Sequence, residues 1–209
     1  MVQIGRKSTA MLKTVTPTPG TPTASFRGKR GKVNGVSVWL KGESPSGGDS
    51  YSRSPYQERA AYIVNEMLDL KLVPSTILHL VDGEVVSAMR WVRGTCPFGI
   101  VKPPLLNMFD YLIRNSDRHS GNWLVKPSGR VWAIDNALSF HMYADDFYGD
   151  DELPNKVRVK LKKVVRDTRT LRRRLEPLLE NEQINALIER MRNVLKNGKW
   201  ETQLKKVRQ

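Results

Sequence analysis

Three polar residues near the middle of the chain have the types and spacing needed to handle a phosphate group and a metal ion. Asp117 and Asn122 stand five residues apart in the sequence DRHSGN, and Asp135 follows Asn122 by thirteen residues. Carboxylate and amide oxygens are ligands that Mg²⁺ prefers, and Asn122 and Asp135 supply them. The additional carboxylate of Asp117 is suited to orient an attacking hydroxyl and to accept its proton. The set therefore predicts phosphoryl transfer.

A predicted strand hairpin brings these residues together. Two short apolar segments, 123–125 and 131–134, are separated by a PSG sequence that is typical of a turn. Asn122 precedes the first strand and Asp135 follows the second. Because the two ends of an antiparallel hairpin lie side by side, we expect Asn122 and Asp135 to meet at the same end.

The sequence DRHSGN followed by AIDNALSF resembles the DRHxxN and IDxG motifs of the phosphatidylinositol 3-/4-kinase-like superfamily, within the wider protein-kinase-like fold. Small bacterial or phage members, HipA-type kinases and secretory-pathway kinases are similar here. The resemblance covers about residues 26–145 and is strongest over 110–140. It implies a kinase that uses ATP and Mg²⁺. The implied catalytic residues are Asp117 and His119, and the implied metal ligands are Asn122 and Asp135. A structural histidine that holds the loop is an equal alternative for His119.

The resemblance also assigns residues upstream. Lys41 ends a predicted strand, like the lysine that grips the α- and β-phosphates of the nucleotide. Glu58 stands in the first turn of the following helix, like the glutamate that pairs with that lysine. Glu66 is the alternative partner, although it points away from the apolar stripe of the helix. The segment MRWV resembles the hinge strand against the adenine, which assigns Arg90 and Trp91 to the nucleotide site.

Three features depart from the family pattern. Ala137 replaces the glycine of the metal motif, and no G-x-G-x-x-G sequence exists, which leaves Gly28, Gly31 and Gly35 to cover the phosphates. Only 74 residues follow Asp135, too few for a full helical substrate lobe. These departures support an alternative hypothesis, a catalytically weak or dead kinase fold that acts as a binding module.

Turn and periodicity signals predict an α+β protein, and the resemblance implies that its fold is a minimal two-lobed protein-kinase-like one. Residues 26–93 should form a small antiparallel sheet, with hairpins at Asn-Gly and Asp-Gly turns, plus one helix that begins at Pro55 with Ser54 as its cap. Residues 94–209 should form a mainly helical lobe with the short catalytic hairpin. The nucleotide would lie between the two lobes.

The C-terminal region reads as helical. Apolar residues at steps of four and three predict one helical stripe from Val157 to Leu178, which Pro177 ends or kinks. Asn181 is placed to cap a second helix that stops at Asn197-Gly198. Three tryptophans are assigned to the core in preference to a stacking platform. They are Trp91, Trp123 and Trp132.

The 209 residues carry a net charge of +14 that is concentrated at the two ends. Residues 1–41 hold eight Lys and Arg and no acid, residues 154–209 hold seventeen against six acids, and residues 42–153 hold ten against fifteen. Basic flanks predict a polyanion or an acidic partner. A basic nucleic-acid-binding protein is a further alternative, although no zinc-finger or RNA-recognition signature supports it.

Composition indicates which part of the chain is disordered and which compartment suits the protein. Residues 1–25 are rich in Pro and Thr and are predicted to be a disordered basic tail. No stretch approaches the roughly 20 apolar residues that a membrane span requires. Cys96 is the single cysteine, which excludes an internal disulfide and favours a reducing, cytoplasmic location. The acceptor could be a protein, a lipid or a small molecule, and protein Ser/Thr is preferred.

Overall fold

An α+β chain carries the candidate site residues. A four-stranded antiparallel sheet and one helix come first, and a mainly helical region with a short hairpin follows. This architecture confirms the predicted fold class. The computed structural model describes residues 28–42, 55–141, 148–149, 152–198 and 200–201. The predicted tail (1–25) and the predicted cap at Ser54 lie outside the described residues.

The sheet is built from two hairpins joined edge to edge. Its strands are β1 (Lys29–Val33), β2 (Val36–Lys41), β3 (Thr76–Val81) and β4 (Glu84–Arg90). The spatial order is β1-β2-β4-β3, and every neighbouring pair is antiparallel. Both predicted turns have positive φ at their two central residues, with Asn34 at 50° and Gly35 at 79°, and Asp82 at 52° and Gly83 at 83°. Asn, Asp and Gly tolerate this conformation, which matches the twist of the strands.

Helix α1 (Pro55–Met67) packs against β3 and β4. It buries Ala60, Ile63 and Val64 completely or almost completely. At its far end Asn65 Oδ1 accepts hydrogen bonds from the N–H groups of Leu72, at 2.7 Å, and Val73, at 3.1 Å. This amide fixes the return of the chain toward the sheet.

Helix α2 (Pro104–Ile113) leads directly into the DRHSGN loop. The connection from β4 is anchored where Thr95 forms an antiparallel bridge with Val125, and both N–H···O distances are 3.0 Å. The helix ends at Arg114, which has φ 52° and donates its N–H to carbonyls of the last turn. This left-handed residue turns the chain out of the helix and starts the loop.

The predicted hairpin follows the loop. A short 3₁₀ turn (Ser120–Asn122) precedes β5 (Trp123–Val125), which pairs antiparallel with β6 (Val131–Ala133). The N–H of Ile134 donates to the carbonyl of Asn122 at 3.0 Å. That bond extends the hairpin by one residue and sets Asp135 next to Asn122, as the sequence predicts.

Three helices close the fold. They are α3 (Asn155–Arg166), α4 (Thr168–Leu175) and α5 (Asn181–Asn197). The prediction of one stripe broken at Pro177 was wrong, because the chain breaks at Asp167, whose carboxylate accepts the N–H of Thr170 at 3.1 Å and caps α4. The cap of α5 is Glu180, in a capping box with Gln183, and the predicted Asn181 is the first helical residue.

One large apolar core joins α1, α2, the hairpin and the C-terminal helices. Phe109, Leu161, Leu171 and Leu187 are fully buried in it. A two-residue strand, β7 (Tyr148–Gly149), pairs with β8 (Trp200–Glu201) near the chain end. In the described part of the chain, no helix has the length and apolar character to cross a membrane.

Candidate functional site

Lys41 lies between two carboxylates at the end of β2. Its Nζ donates a hydrogen bond to Asp135 Oδ1 and lies 3.7 Å from Glu58 Oε1. Glu58 is buried and Lys41 is mostly buried, whereas Asp135 is partly open to solvent. The three side chains come from β2, α1 and the loop after β6, so segments far apart in sequence converge on one ammonium group.

The environment of Glu58 opposes its ionisation. Burial raises the pKa of Glu58 above its ordinary value because a low-dielectric setting penalises the charged form. The positive charge of Lys41 lowers this pKa, and the nearby Asp135 raises it further. Asn136 Nδ2 donates to Glu58 Oε2 at 3.3 Å, which favours the carboxylate. Lys41 and Asn136 therefore hold the charged group against a desolvation cost.

The DRHSGN loop is organised by bonds among its own residues. Asn122 Nδ2 donates to the carbonyl of Asp117 at 2.7 Å and to its Oδ2 at 3.2 Å. His119 Nδ1 accepts the N–H of Gly121 at 3.0 Å, and His119 Nε2 lies 4.0 Å from Asp117 Oδ1. His119 is 62% exposed. The histidine thus holds the loop with one nitrogen and presents the other beside the Asp117 carboxylate.

A buried guanidinium connects the loop to the end of the hairpin. Arg118 Nε donates to both carboxylate oxygens of Asp110, at 3.1 and 3.3 Å. Its Nη1 donates to the carbonyls of Asn122 and Ile134, and its Nη2 donates to Asn136 Oδ1. Burial raises the pKa of Asp110, and the charge of Arg118 opposes that rise. One side chain therefore fixes the backbone around both predicted metal ligands.

The chain bends sharply at Asp135. Its φ of 53° lies in the left-handed region, which few non-glycine residues adopt and which Asp tolerates better than most. This bend lets the Asp135 side chain reach Lys41 while the next residue, Asn136, is buried against Arg118. Ala137 is buried and is not among the residues with positive φ. The third motif position here therefore has no conformational need for glycine.

A cleft of about 500 Å³ opens beside these groups. Its lining residues are Trp39, Lys41, Glu58, Ser87, Met89, Arg90, Trp91, Val92, Arg93, Gly94, Cys96, Gly121, Asn122, Leu124, Ile134 and Asp135. Trp39 and Trp91 form an aromatic pair with ring centroids 5.8 Å apart, and the guanidinium of Arg30 lies 4.6 Å from the Trp91 ring. The cleft therefore combines an aromatic pair, which has cationic side chains beside it, with the carboxylates and the ammonium group around Lys41.

The segment that follows β4 offers backbone polar groups to the cleft. Trp91 donates its N–H to the carbonyl of Ser37 at 2.9 Å and so stays tied to the sheet. Val92 and Arg93 line the cleft, and within the described residues their N–H and C=O groups make no backbone hydrogen bond. These groups are suited to bind the edge of a planar heterocycle.

The three glycines of the first hairpin have other roles than the predicted phosphate cover. Of the described residues that line the cleft, none is Gly28, Gly31 or Gly35. A Cβ atom on Gly28 would come within 2.4 Å of the Trp39 ring, and one on Gly31 within 2.7 Å of Leu40. These glycines make room for side chains of β2, and Gly35 supplies the turn.

Six of the eight predicted site residues line this one cleft. They are Lys41, Glu58, Arg90, Trp91, Asn122 and Asp135. Asp117 and His119 adjoin the cleft through Asn122 but do not form its wall. Glu66, the alternative partner of Lys41, instead pairs with Arg174 at the surface.

Sequence reasoning missed several residues and misassigned one. Trp91 was assigned both to the nucleotide site and to the core; it is 38% exposed in the cleft, so the core assignment was wrong, whereas Trp123 is buried as predicted. Trp39 was overlooked, although it lies two residues before Lys41 and thus on the same face of the strand. Asp110 was also overlooked, although a lone acid within an apolar helical stripe is a signal for a buried partner.

The donor set of the cleft fits a magnesium ion that takes its other ligands from phosphate and water. Within the described residues, Asn122 Oδ1 and Asp135 Oδ2 accept no hydrogen bond, and both side chains line the cleft. Across that same part of the chain, no group of three or more His, Cys, Asp or Glu side chains is arranged to hold a metal ion. Asn122 and Asp135 would supply the protein ligands of a metal at this site.

Comparisons with known proteins agree with this chemistry. Residues 105–199 match the family model described as phosphatidylinositol 3- and 4-kinase. No curated protein matches the chain significantly. The crystal structure of a Helicobacter pylori proinflammatory kinase, CtkA, is similar over 82% of this chain and 90% of that chain, with 15% identity and a TM-score of 0.48. The segment matched by the family model contains the DRHSGN loop, the hairpin and the motif with Asp135, so this part of the chain is similar to the phosphatidylinositol 3- and 4-kinase family.

Proposed function

We propose that this kinase transfers the γ-phosphate of ATP, in a magnesium-dependent reaction, to a hydroxyl group of a protein Ser or Thr. The observation that carries the proposal is the convergence of Lys41, Glu58, Asn122 and Asp135 on one cleft with an aromatic end. ATP lies in the cleft between residues 26–93 and 94–209. The reducing, cytoplasmic setting that the single cysteine favours completes the proposal.

Each residue has a defined task in this proposal. Lys41 binds phosphate oxygens of the nucleotide, and Glu58 keeps the ammonium group in place. Asn122 and Asp135 hold Mg²⁺, which neutralises part of the charge that develops on the phosphates. Asp117 orients the acceptor hydroxyl and accepts its proton, with the imidazole of His119 beside it.

The adenine end of the proposed site is formed by the aromatic pair and the hinge. Trp39 and Trp91 supply two aromatic faces tilted 39° to each other, and Val92 and Arg93, whose backbone groups make no backbone hydrogen bond within the described residues, can bind the edge of the base. Arg90, which also lines the cleft, adds positive charge for the anionic nucleotide. The presence of an aromatic pair and of charged groups in one cleft supports a nucleotide as the ligand.

The choice of acceptor depends on the openness of the loop. His119 is largely exposed and Asp117 is 30% exposed, so a hydroxyl on the surface of a large molecule can reach them. This accessibility supports a macromolecular acceptor over a small molecule that must be enclosed. Between the macromolecules, protein Ser/Thr is our proposal, and a lipid hydroxyl is the competing outcome.

Transfer of labelled γ-phosphate from ATP tests the proposal. Wild type should label itself or a basic protein mixture, and mass spectrometry should locate the phosphate on Ser or Thr. Asp135→Ala should lose at least about a hundredfold of this activity because the metal ligand is gone. Glu176→Gln, an exposed acid on the C-terminal side of α4, is the matched control and should keep full activity. Equal labelling by wild type and Asp135→Ala would exclude this site.

The alternative hypothesis is a catalytically weak or dead kinase fold that acts as a binding module. It was suggested partly by Ala137, which the local backbone accommodates without a left-handed conformation. Thermal unfolding with ATP and Mg²⁺ separates the two hypotheses. Because the proposal gives the metal two protein ligands and leaves the others to phosphate and water, Mg²⁺ alone should stabilise the protein little, and Mg²⁺ with ATP should raise Tm clearly. Stabilisation by ATP without phosphate transfer would favour the binding-module hypothesis.

A second candidate function is polyanion binding by an exposed basic face of α3. Lys162, Lys163 and Arg166 line a shallow depression with the exposed Val159 and with Asp167. Among the described residues these three cations make no ion pair or hydrogen bond, unlike Lys156, which lies 3.2 Å from Asp69. Three cations against one carboxylate on a single face are suited to a row of phosphates, so we propose nucleic acid as the ligand.

Salt-dependent binding of a labelled oligonucleotide tests this second candidate. Lys162→Glu with Arg166→Glu should weaken binding strongly and flatten the dependence of log K on log salt. Arg192→Glu with Lys196→Glu is a matched control because it also reverses one Lys and one Arg four residues apart on an exposed helical face. An equal loss in both double variants would argue for diffuse charge attraction and against a site on α3.

A further inference from the structure

Asn136 has a position that neither the family motif nor the proposed catalytic roles explain. It follows Asp135 directly, and its side chain is completely buried. A polar side chain without access to water is costly unless its donors and acceptors are satisfied. Both ends of the Asn136 amide are in fact engaged, and each end faces a residue from a different part of the fold.

The two side-chain hydrogen bonds of Asn136 connect Arg118 of the DRHSGN loop to Glu58 of helix α1. Its Oδ1 accepts from Arg118 Nη2, and its Nδ2 donates to Glu58 Oε2 at 3.3 Å. Arg118 is itself fixed by Asp110 and by the carbonyl of Asn122. The amide is therefore anchored on the loop side and presents its N–H group to α1.

The other oxygen of Glu58 faces Lys41, at 3.7 Å. Glu58 therefore has one oxygen held by Asn136 and the other available to the lysine. Lys41 also contacts Asp135, so its position depends on the balance between two carboxylates. Glu58 accepts hydrogen bonds from both the backbone N–H and the side-chain amide of Asn136, so loss of the amide would leave the backbone bond alone to keep Glu58 directed at Lys41.

We propose that Asn136 is a positioning residue that holds Glu58, and through it Lys41, in the geometry that binds the nucleotide phosphates. The expected effect on ATP binding rests on the proposed function, but the hydrogen bond between Asn136 and Glu58 exists without ATP. It makes the amide the polar coupling between the DRHSGN loop and α1. A merely space-filling role would need only the volume of the side chain.

Two substitutions separate positioning from space filling. Asn136→Asp keeps the volume and the acceptor for Arg118 but directs an oxygen at the Glu58 carboxylate, whereas Asn136→Ala removes the amide without adding repulsion. Positioning predicts that Asn136→Asp raises KM for ATP by roughly tenfold or more, the scale of a lost hydrogen bond to a charged group, and more than Asn136→Ala does. If the side chain only fills space, Asn136→Ala should raise KM for ATP more than Asn136→Asp does.

The double variant Asn136→Asp with Glu58→Gln is the decisive experiment. The introduced amide can donate to the introduced carboxylate and keep an oxygen toward Lys41, so the bond is rebuilt with its direction reversed. We expect KM for ATP to recover by at least about threefold relative to Asn136→Asp alone, with a smaller change in kcat. Absence of recovery in the folded double variant would overturn the inference.

Hydrogen exchange of the peptide that contains the start of α1 measures the link without any nucleotide. Exchange there should be faster in Asn136→Asp than in wild type and should slow again in the double variant. Asn185→Asp, on α5, is the control and should leave this peptide unchanged. If wild type neither binds ATP nor transfers phosphate, the proposed function fails, while the exchange pattern still decides the link. If wild type is active and Asn136→Asp behaves like wild type in both assays, only the inference fails.

Discussion

Arg118 and Asp110 form a buried ion pair beneath the DRHSGN loop, with Nε of the arginine 3.1 Å from Oδ1 of the aspartate. Both side chains are almost inaccessible to solvent. Their pairing directs the remaining guanidinium nitrogens at the carbonyls of Asn122 and Ile134. The pair thus belongs to the frame of the site, since it holds the backbone on either side of the hairpin that carries the proposed metal ligands.

The effects of replacing Arg118 and Asp110 on the free energy of unfolding should not be additive. Arg118→Met and Asp110→Leu should each lower the free energy of unfolding by about 3–5 kcal/mol, because each leaves one buried charge without its partner. The double variant should lose clearly less than the sum of the two. Urea unfolding of the four proteins measures the coupling.

Lys102→Met provides the comparison for this cycle. Its Nζ lies 3.3 Å from Asp110 Oδ2, but the side chain is 28% exposed, so the loss of stability should be much smaller. Additive losses in Arg118→Met and Asp110→Leu would show that the two residues act independently.

Glu58→Gln should make the protein more stable relative to wild type as the pH rises. Burial raises the pKa of Glu58 in the fold. Between its ordinary value of 4.5 and that raised value, the native state retains a proton that the unfolded chain has released. The stability of wild type therefore falls as pH rises through this interval, and the variant lacks this contribution. Urea midpoints of both proteins, from pH 4.5 upward, measure the difference.

The same change should lower activity, because the neutral amide holds Lys41 less strongly than a carboxylate does. Stability and activity would then move in opposite directions at neutral pH. Glu176→Gln, which removes an exposed acid, is the control and should show no pH-dependent gain. A difference between Glu58→Gln and wild type that shrinks with rising pH would contradict the prediction.

Local signals in the sequence were sufficient to predict the hairpins and the proximity of Asn122 and Asp135. Asn34-Gly35 and Asp82-Gly83 specify their turns through residues that accept positive φ. Asn122 and Asp135 meet because a hairpin joins its own ends. These features depend on contacts that are close in sequence, so spacing and residue type determine them.

The missed features depend on contacts between distant segments. Asn136 reaches Glu58 across 78 positions, and no local pattern indicates that pairing. The break at Asp167 was missed because the apolar steps continue through it, and only the capping bond to Thr170 ends one helix and starts the next. Trp91 was assigned to the core because hydrophobicity alone does not distinguish a buried wall from the wall of a cleft.

Ala137→Gly should bring no gain in activity, although it restores the residue that the family motif contains. Ala137 is buried and does not have positive φ, so the added freedom of glycine serves no backbone need here. The substitution should instead lower the free energy of unfolding by roughly 0.5–1 kcal/mol, because glycine loses more conformational entropy on folding. Urea unfolding and the labelled-phosphate assay test both parts. A rise in activity would show that the loop needs a conformation different from the one described.

Nucleotide binding should change the fluorescence of two tryptophans. Trp39 and Trp91 are 37% and 38% exposed and line the cleft, whereas Trp123 is buried in the core, so a base stacked in the cleft should affect mainly the first two. ATP with Mg²⁺ should quench the emission of wild type, and Trp91→Phe should remove much of the change. Trp132→Phe is the control. The guanidinium carbon of Arg130 lies 3.9 Å from the centroid of the Trp132 ring, and Trp132 is not among the residues that line the cleft. An ATP-induced change that persists in Trp39→Phe with Trp91→Phe but disappears in Trp132→Phe would move the nucleotide site away from this cleft.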